Sequence, residues 1–281
     1  MITENDVPQI DLLPLSEPHN LLMYDVNRLR AFNPNAFHTM IDVGVNTGSF
    51  LSAARTLFPR ANIIGYEPFP KGFENSVHIK RLHSADTTPP FGKITLHNKG
   101  LGDGAPLYFN RQFRNNLKNE QPIEAHGESP LDSVFIPLDE NYKPDTDFVI
   151  ETVTLKEIIE ENNIDVSKDI YFKVDCECCE SSLYNNESLE IMRNFRAIFV
   201  EAHFPPHSAA GIVRDHHQFS QCSNCVTYHE HNNWLRSNFS DIYNIDYYRS
   251  NKGQGHGHYL LTRKEDKIAF AKEHENFLIS R

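Results

Sequence analysis

No stretch of the 281 residues approaches the roughly 20 consecutive apolar positions that span a bilayer, so the sequence predicts no membrane span. The first residues, Met1-Ile-Thr-Glu-Asn-Asp, lack both the basic and the apolar parts of a secretory leader, and none is predicted. Cysteine is sparse: five residues, an odd number, gathered as Cys176, Cys178, Cys179 and as Cys222, Cys225. A secreted disulfide framework is spread more evenly, so the pattern predicts reduced, packed thiols in a cytoplasmic setting. Positive charge is in deficit, with 27 Lys and Arg against 38 Asp and Glu and a net charge of −11. That argues against a broad phosphate-neutralising face, though not against local basic pockets, and nucleic acid is not the expected partner. With 39% hydrophobic and 23% charged residues the composition is that of an ordinary globular chain, not a collagenous or disordered one.

What is present is an alternation of strand and helix signals. Residues 1–38 read as an N-terminal helical cap, with an apolar helical period over 20–32. Residues 39–281 read as a single domain with insertions at about 105–150 and 205–228. Within it, strands are predicted at 39–44, 61–67, 93–100, 151–155, 170–175 and 197–203, separated by helices at 48–58, 73–82, 156–162 and 181–193. The first insertion reads as a loop with one short strand at 107–109. A further helix at 231–238 precedes strands at 241–248 and 258–262, which predict an antiparallel hairpin. This spacing implies an α/β fold with a mainly parallel sheet covered by helices on both faces.

In such sheets ligands bind beyond the carboxyl ends of the strands. The residues there are Asp42, Gly44, Asn46 and Gly48 after the first strand, and Glu67 after the second. Gly102 and Asp103 follow the third, Asp175 and Glu177 the next, and Glu201 with His203 the last of the series. Gly44 and Gly48 let the chain turn sharply and bring backbone amides close to a ligand. Glu67 can accept both hydroxyls of a ribose, and Asp103 can accept an adenine amino group while a neighbouring amide donates to a ring nitrogen. Asp42 and Asn46 occupy the place where a dinucleotide pyrophosphate would meet added negative charge; a sulfonium amino acid tolerates it better.

Asp42-Val-Gly-Val-Asn-Thr-Gly48, Glu67-Pro68, Leu101-Gly-Asp103, Thr154-Leu155, Lys173-Val-Asp-Cys-Glu177 with Glu180, and Val200-Glu-Ala-His203 together resemble the ordered motifs of the FkbM-type S-adenosylmethionine-dependent methyltransferases. The resemblance covers residues 39–204. It implies a Rossmann-like seven-stranded sheet with an antiparallel C-terminal hairpin, and methyl transfer to a hydroxyl of a sugar or small natural product. It also implies S-adenosylmethionine as cofactor, with Asp42, Gly44, Asn46 and Gly48 along the methionine portion, Glu67 at the ribose and Gly102-Asp103 at the adenine. Asp175 and Glu177 would face the reaction centre. Where the family generally has glycine after its Asp-x-Glu element, this chain has Cys178.

Methyl transfer to a hydroxyl is an in-line displacement that also needs a proton removed. His203 is the expected base, and Asp175 with Glu177 the groups that orient a small-molecule or glycan acceptor. Cys222-Ser-Asn-Cys225 has no second matched pair, so no metal is predicted. The crowd of histidines that includes His207, His216, His217, His229 and His231 is expected on a polar loop. N- or carboxyl-methylation of a peptide, a nicotinamide-dependent oxidoreductase, and a catalytically degenerate binding module remain as alternatives.

Overall fold

A computed structural model of the chain describes residues 29–84, 91–109, 135–136, 149–176, 179–203, 228–248 and 256–266. The predicted helix at 20–32 lies almost wholly outside them, as do most of both insertions.

Strands β1 (Thr39–Val43), β2 (Asn62–Tyr66), β3 (Ile94–His97), β9 (Ile170–Val174), β10 (Ala197–His203), β11 (Tyr243–Tyr248) and β12 (His256–Arg263) form one sheet, ordered β11-β12-β10-β9-β1-β2-β3. The first five run parallel; β12 pairs antiparallel with both β10 and β11. The chain therefore has the α/β fold expected, with a mostly parallel seven-stranded sheet and antiparallel C-terminal strands. Among the described residues no helix is long and apolar enough to cross a membrane.

The central position of β1 explains its sequence. Every residue of Thr-Met-Ile-Asp-Val is buried, because strands flank it and helices cover both of its faces. Side chains alternate across the sheet. Ile41 and Val43 join a cluster with α3 (Leu155–Glu161), α4 (Asn186–Met192) and α5 (Tyr228–Phe239), through Leu155, Ile158, Met192, Leu235 and Phe239. Met40 joins the other cluster, built with α1 (Ser49–Leu57) and α2 (Pro70–Ser84) through Phe50, Leu51, Phe73 and Val77. Asp42 shares the Met40 face.

Local chemistry sets the helix starts. Thr154 caps α3 in a reciprocal box: Glu157 N–H donates to Thr154 Oγ1 at 3.2 Å, and Thr154 N–H donates to Glu157 Oε2 at 2.8 Å. Asn185 caps α4 by accepting from Ser188 N–H at 2.8 Å. By contrast α1 starts from Gly48 in the left-handed region, with no side-chain cap.

Four expectations need correction. The third strand does not run through 93–100: β3 ends at His97, and β4 (Gly100–Leu101) leaves the main sheet to pair in parallel with β8 (Thr152–Val153). The strand expected at 151–155 is thus part of a separate two-stranded ladder. The helix expected over 181–193 is split, because Asn185 caps a new helix after the 3₁₀ turn Cys179–Leu183. In the first insertion, β5 (Leu107–Phe109) lies between β6 (Phe135–Ile136) and β7 (Val149–Ile150) in a small antiparallel sheet whose outer strands are too short to be recognised by pattern.

Two glycines in the left-handed region predict opposite tolerances. A Cβ on Gly44, at φ +80°, would lie 1.7 Å from the Asp175 carbonyl oxygen; on Gly104, at φ +88°, it would meet nothing nearer than Glu157 Oε2 at 3.7 Å. Gly44→Ala is expected to destabilise the protein by roughly 3 kcal/mol, from strain and overlap together, and Gly104→Ala by only about 1 kcal/mol, from strain alone. Urea unfolding of the two variants measures the difference.

Candidate functional site

The turn from β1 into α1 sits between the carboxyl ends of β2 and β9. Gly44 N–H and Val45 N–H both donate to Tyr66 O, at 2.9 and 3.2 Å, and Gly48 N–H closes the turn on Val45 O at 2.9 Å. Gly44, Asn46 and Gly48 all take positive φ, at +80°, +50° and +80°. At Gly44 the need for glycine is steric as well as conformational, since the Asp175 carbonyl leaves no room for a side chain.

Glu67 follows β2 directly and is 4% exposed. Its Oε2 accepts from Asn46 N–H at 2.7 Å and its Oε1 from Phe69 N–H at 2.9 Å, so one carboxylate links the tips of two strands. Gly72 of α2 lies against it: a Cβ there would come within 2.8 Å of Glu67 Cδ. Burial pushes the carboxyl up to about 7, with the two amides and Lys173 pulling it part of the way back.

A charge network fills the same face of the sheet. Lys173 on β9 lies in register with Asp42 on β1, and its Nζ donates to Asp42 Oδ1 at 2.8 Å and to Gly44 O at 2.9 Å. Both side chains are fully buried. Burial pulls the Lys173 ammonium down, but the Asp42, Asp175 and Glu201 carboxylates outweigh it and leave it raised. Burial likewise pushes the Asp42 carboxyl up, opposed by Lys173. Asp175, whose N–H donates to Val43 O at 3.1 Å, brings Oδ2 to 3.9 Å from Lys173 Nζ. Next along the sheet, Glu201 Oε1 lies 3.2 Å from His258 Nε2, at cross-strand positions of β10 and β12.

The predicted residues therefore fall into three groups. Asp42, Gly44, Asn46, Gly48, Glu67 and Asp175 come together at the tips of β1, β2 and β9. Gly102 and Asp103 directly follow β4, beside the outlying β4–β8 ladder. A Cβ on Gly102 would lie 2.7 Å from Thr152 Cβ, while Asp103 is exposed and its Oδ1 accepts from Ala105 N–H at 2.9 Å. His203 ends β10 opposite His256, with its side chain outside the described residues, as Glu177 is altogether. Glu180 is buried in the 3₁₀ turn. Sequence reasoning missed Lys173, Glu201 and His258 as one network; the available signal was a lysine inside the otherwise apolar Ile-Tyr-Phe-Lys-Val strand, which cannot stay buried without a counter-charge.

Two side-chain expectations are overturned. Cys176 and Cys179 are joined in a disulfide rather than packed as thiols, because the turn out of β9 brings their Cα atoms to 5.5 Å. His231 is not on a polar loop: it is buried on α5, hydrogen-bonded to the Tyr184 hydroxyl, and desolvation lowers its pKa to about 3. Among the described residues no group of three His, Cys, Asp or Glu could hold a metal ion. Cys178, Cys222, Cys225, His207, His216 and His217 lie outside those residues.

The family described as the methyltransferase FkbM domain matches residues 42–242. No curated protein matches the chain in sequence. Among solved structures, an FkbM methyltransferase from Methylobacillus flagellatus KT is 14% identical with a TM-score of 0.44, the likeness covering 80% of this chain and 44% of that one. The small RNA methyltransferase HEN1 is 13% identical with a TM-score of 0.44, covering 93% and 28%. An O-methyltransferase family protein from Burkholderia thailandensis is 10% identical with a TM-score of 0.40, covering 86% and 56%. The chain thus spans less than half the length of the first two.

The buried charges generate two expectations. Lys173→Met leaves Asp42 without its counter-charge and is expected to cost about 3–5 kcal/mol in urea unfolding. Adding Asp42→Leu should recover part of that loss, but not all, since Asp175 and Glu201 also face Lys173. Glu67 carries more protons folded than unfolded between pH 4.5 and about 7, so its contribution is fully present below pH 4.5 and lost as the pH rises towards 7. Wild-type stability relative to Glu67→Gln should fall by about 3 kcal/mol over that interval and level off above it. Denaturation series at several pH values measure the slope; a flat difference contradicts it.

Proposed function

The chain belongs to the FkbM methyltransferase family, and from that premise we propose that it transfers a methyl group from S-adenosylmethionine to a hydroxyl of a sugar or small natural product. The observation that carries this reading is the joining of a left-handed Gly44–Gly48 turn to a buried carboxylate, Glu67, at the tip of the neighbouring strand.

The residues present suit such a cofactor. Asp42 Oδ2 is buried with no hydrogen-bond partner among the described residues, and the ammonium of an amino acid supplies the donor it lacks. Glu67 has used one lone pair on each oxygen for a backbone amide and retains acceptor capacity for the two hydroxyls of a ribose. Gly44 and Gly48 let the turn pack directly against the Asp175 carbonyl and the Ile79 side chain, which holds its backbone in place, and Asp103 is exposed and able to accept an amino group.

When bound, the sulfonium supplies an activated methyl carbon. The chain's own work is to hold the acceptor oxygen in line with it and to take the hydroxyl proton. His203, at the carboxyl end of β10, is proposed as the base, with Asp175 and Glu177 orienting the acceptor. The fixed charges of Lys173, Asp42 and Asp175 are set before any ligand arrives, which limits reorganisation during transfer.

Calorimetry with S-adenosylhomocysteine tests the cofactor half. Binding is expected, with Glu67→Ala weakening it roughly 10- to 100-fold through loss of charge-assisted hydrogen bonds, and Asp103→Ala weakening it less because that side chain is exposed. No heat from folded protein would remove the proposal. Transfer of a tritiated methyl group across panels of glycans, small alcohols, amines and peptides tests the acceptor half: label on hydroxyl compounds is expected, and label confined to nitrogen or carboxylate acceptors rejects O-methylation.

A further inference from the structure

The turn that leaves β9 is anchored on one side and bridged on the other. Asp175 N–H donates to Val43 O at 3.1 Å, and its carbonyl oxygen stands where a Gly44 side chain would be. One residue later Cys176 enters the disulfide with Cys179, the first residue of the 3₁₀ turn. Both cysteines are half-buried and rest on the apolar cluster that contains Val174 and Leu183. The bridge is therefore next in the chain to the residue that presses on the Gly44–Gly48 turn, and it remains partly open to solvent.

We propose that Cys176 and Cys179 are a thiol–disulfide exchange site for small-molecule thiols of the glutathione class, and that the state of the pair sets how firmly the Asp175 segment holds the Gly44–Gly48 turn. A structural staple is a poor account of this bridge. Disulfides stabilise a fold by restricting the unfolded chain, in proportion to the logarithm of the loop they close, and a sequence separation of three is near the minimum. The bridge instead acts locally: it ties Cys176 to the start of the 3₁₀ turn, and Asp175 beside it is one wall of the proposed ligand crevice.

In the exchange, a thiolate of the small molecule attacks one sulfur of the bridge, forms a mixed disulfide and releases the other cysteine as a thiolate, which takes up a proton. A second small thiol attacks the mixed disulfide, freeing the first cysteine. Two electrons pass to the protein, two cysteine thiols result, and the small-molecule disulfide leaves. The reverse sequence restores the bridge.

The full chain is equilibrated across ratios of reduced to oxidised glutathione, and alkylation with peptide mass analysis reads Cys176 and Cys179. Hydrogen exchange over residues 42–48 is measured at both extremes of the ratio, and S-adenosylhomocysteine is titrated in each state. That titration alone rests on the cofactor reading above. The pair should convert reversibly, with the melting temperature little changed. Exchange over 42–48 should quicken on reduction on the order of tenfold, as expected when a local constraint is released. S-adenosylhomocysteine should bind more weakly by a similar factor, and by linkage it should shift the glutathione ratio for half-reduction by that factor too.

Cys176→Ser and Cys179→Ser should each behave as the reduced protein at every ratio. Exchange over 42–48 that is identical in the two states overturns the proposal, as does a pair that stays unbridged in oxidised glutathione. Should the exchange rates respond while the ligand binds neither state, the switch stands and the cofactor reading fails. Ligand binding that persists unchanged alongside redox-insensitive exchange leaves the cofactor reading standing and removes the switch.

Discussion

The ion pair between Lys173 and Asp42 is the constraint around which the carboxyl end of the parallel strands is organised. Two full charges on adjacent central strands, with no exposed surface, are tolerable only because the strand register places them opposite one another and further hydrogen bonds absorb the remaining donors. Lys173 bonds the Gly44 carbonyl as well, so the ammonium that neutralises Asp42 also fixes where the chain leaves β1. Its excess of carboxylate neighbours then extends along the sheet. Phe199 lies in register with Lys173, Glu201 stands two residues beyond Phe199 on the same face, and His258 lies opposite Glu201. One face of the sheet is thus a row of charges at the strand tips, while the other is apolar under α3, α4 and α5.

Residue 66 connects the two faces. The Tyr66 carbonyl accepts the Gly44 and Val45 amides on the turn side. Its ring stacks on His97 with centroids 4.6 Å apart, and its hydroxyl donates to Glu161 and accepts from Asn162 Nδ2. Lys99 completes the group by pairing with Glu161 at 2.8 Å. The carboxyl end of α3 is thereby tied to the same strand that delivers Glu67 to the turn. The position of Glu67 follows from packing on the far side of the sheet as well as from its own two hydrogen bonds.

These relations account for what the sequence made legible. Gly44, Gly48 and Glu67 could be read because their constraints are local: a strand must end, a turn must follow, and a carboxylate one residue past an apolar strand has few other places to be. Lys173, Glu201 and His258 could not be assembled in advance, since their partnership depends on a register between strands far apart in sequence, and register is set by the whole sheet. The break between His97 and Gly100 was hidden for a related reason. Residues 93–100 carry one continuous strand pattern, and only the competing β8 shows that Gly100 and Leu101 pair elsewhere. The Cys176–Cys179 bridge was obscured by Cys178 between its halves, which made a bridged pair look like a cluster of packed thiols.

Glu67 also shows how the architecture and the proposed chemistry bear on each other. Burial alone disfavours its charge, and the amides of Asn46 and Phe69 return only part of the loss, which holds the carboxyl near 7 instead of in the ordinary range. A hydroxyl donor arriving at the remaining lone pairs favours the ionised form further, so occupation of the site and release of a proton from Glu67 are thermodynamically linked. Gly72 closes the back of the carboxylate and fixes the direction from which such a donor can come. A solvated glutamate at the same strand tip would gain little from two hydroxyls, because water already satisfies it. Under the proposed function, the cost of burying Glu67 in the free protein is what would make the site responsive to a ligand that carries donors.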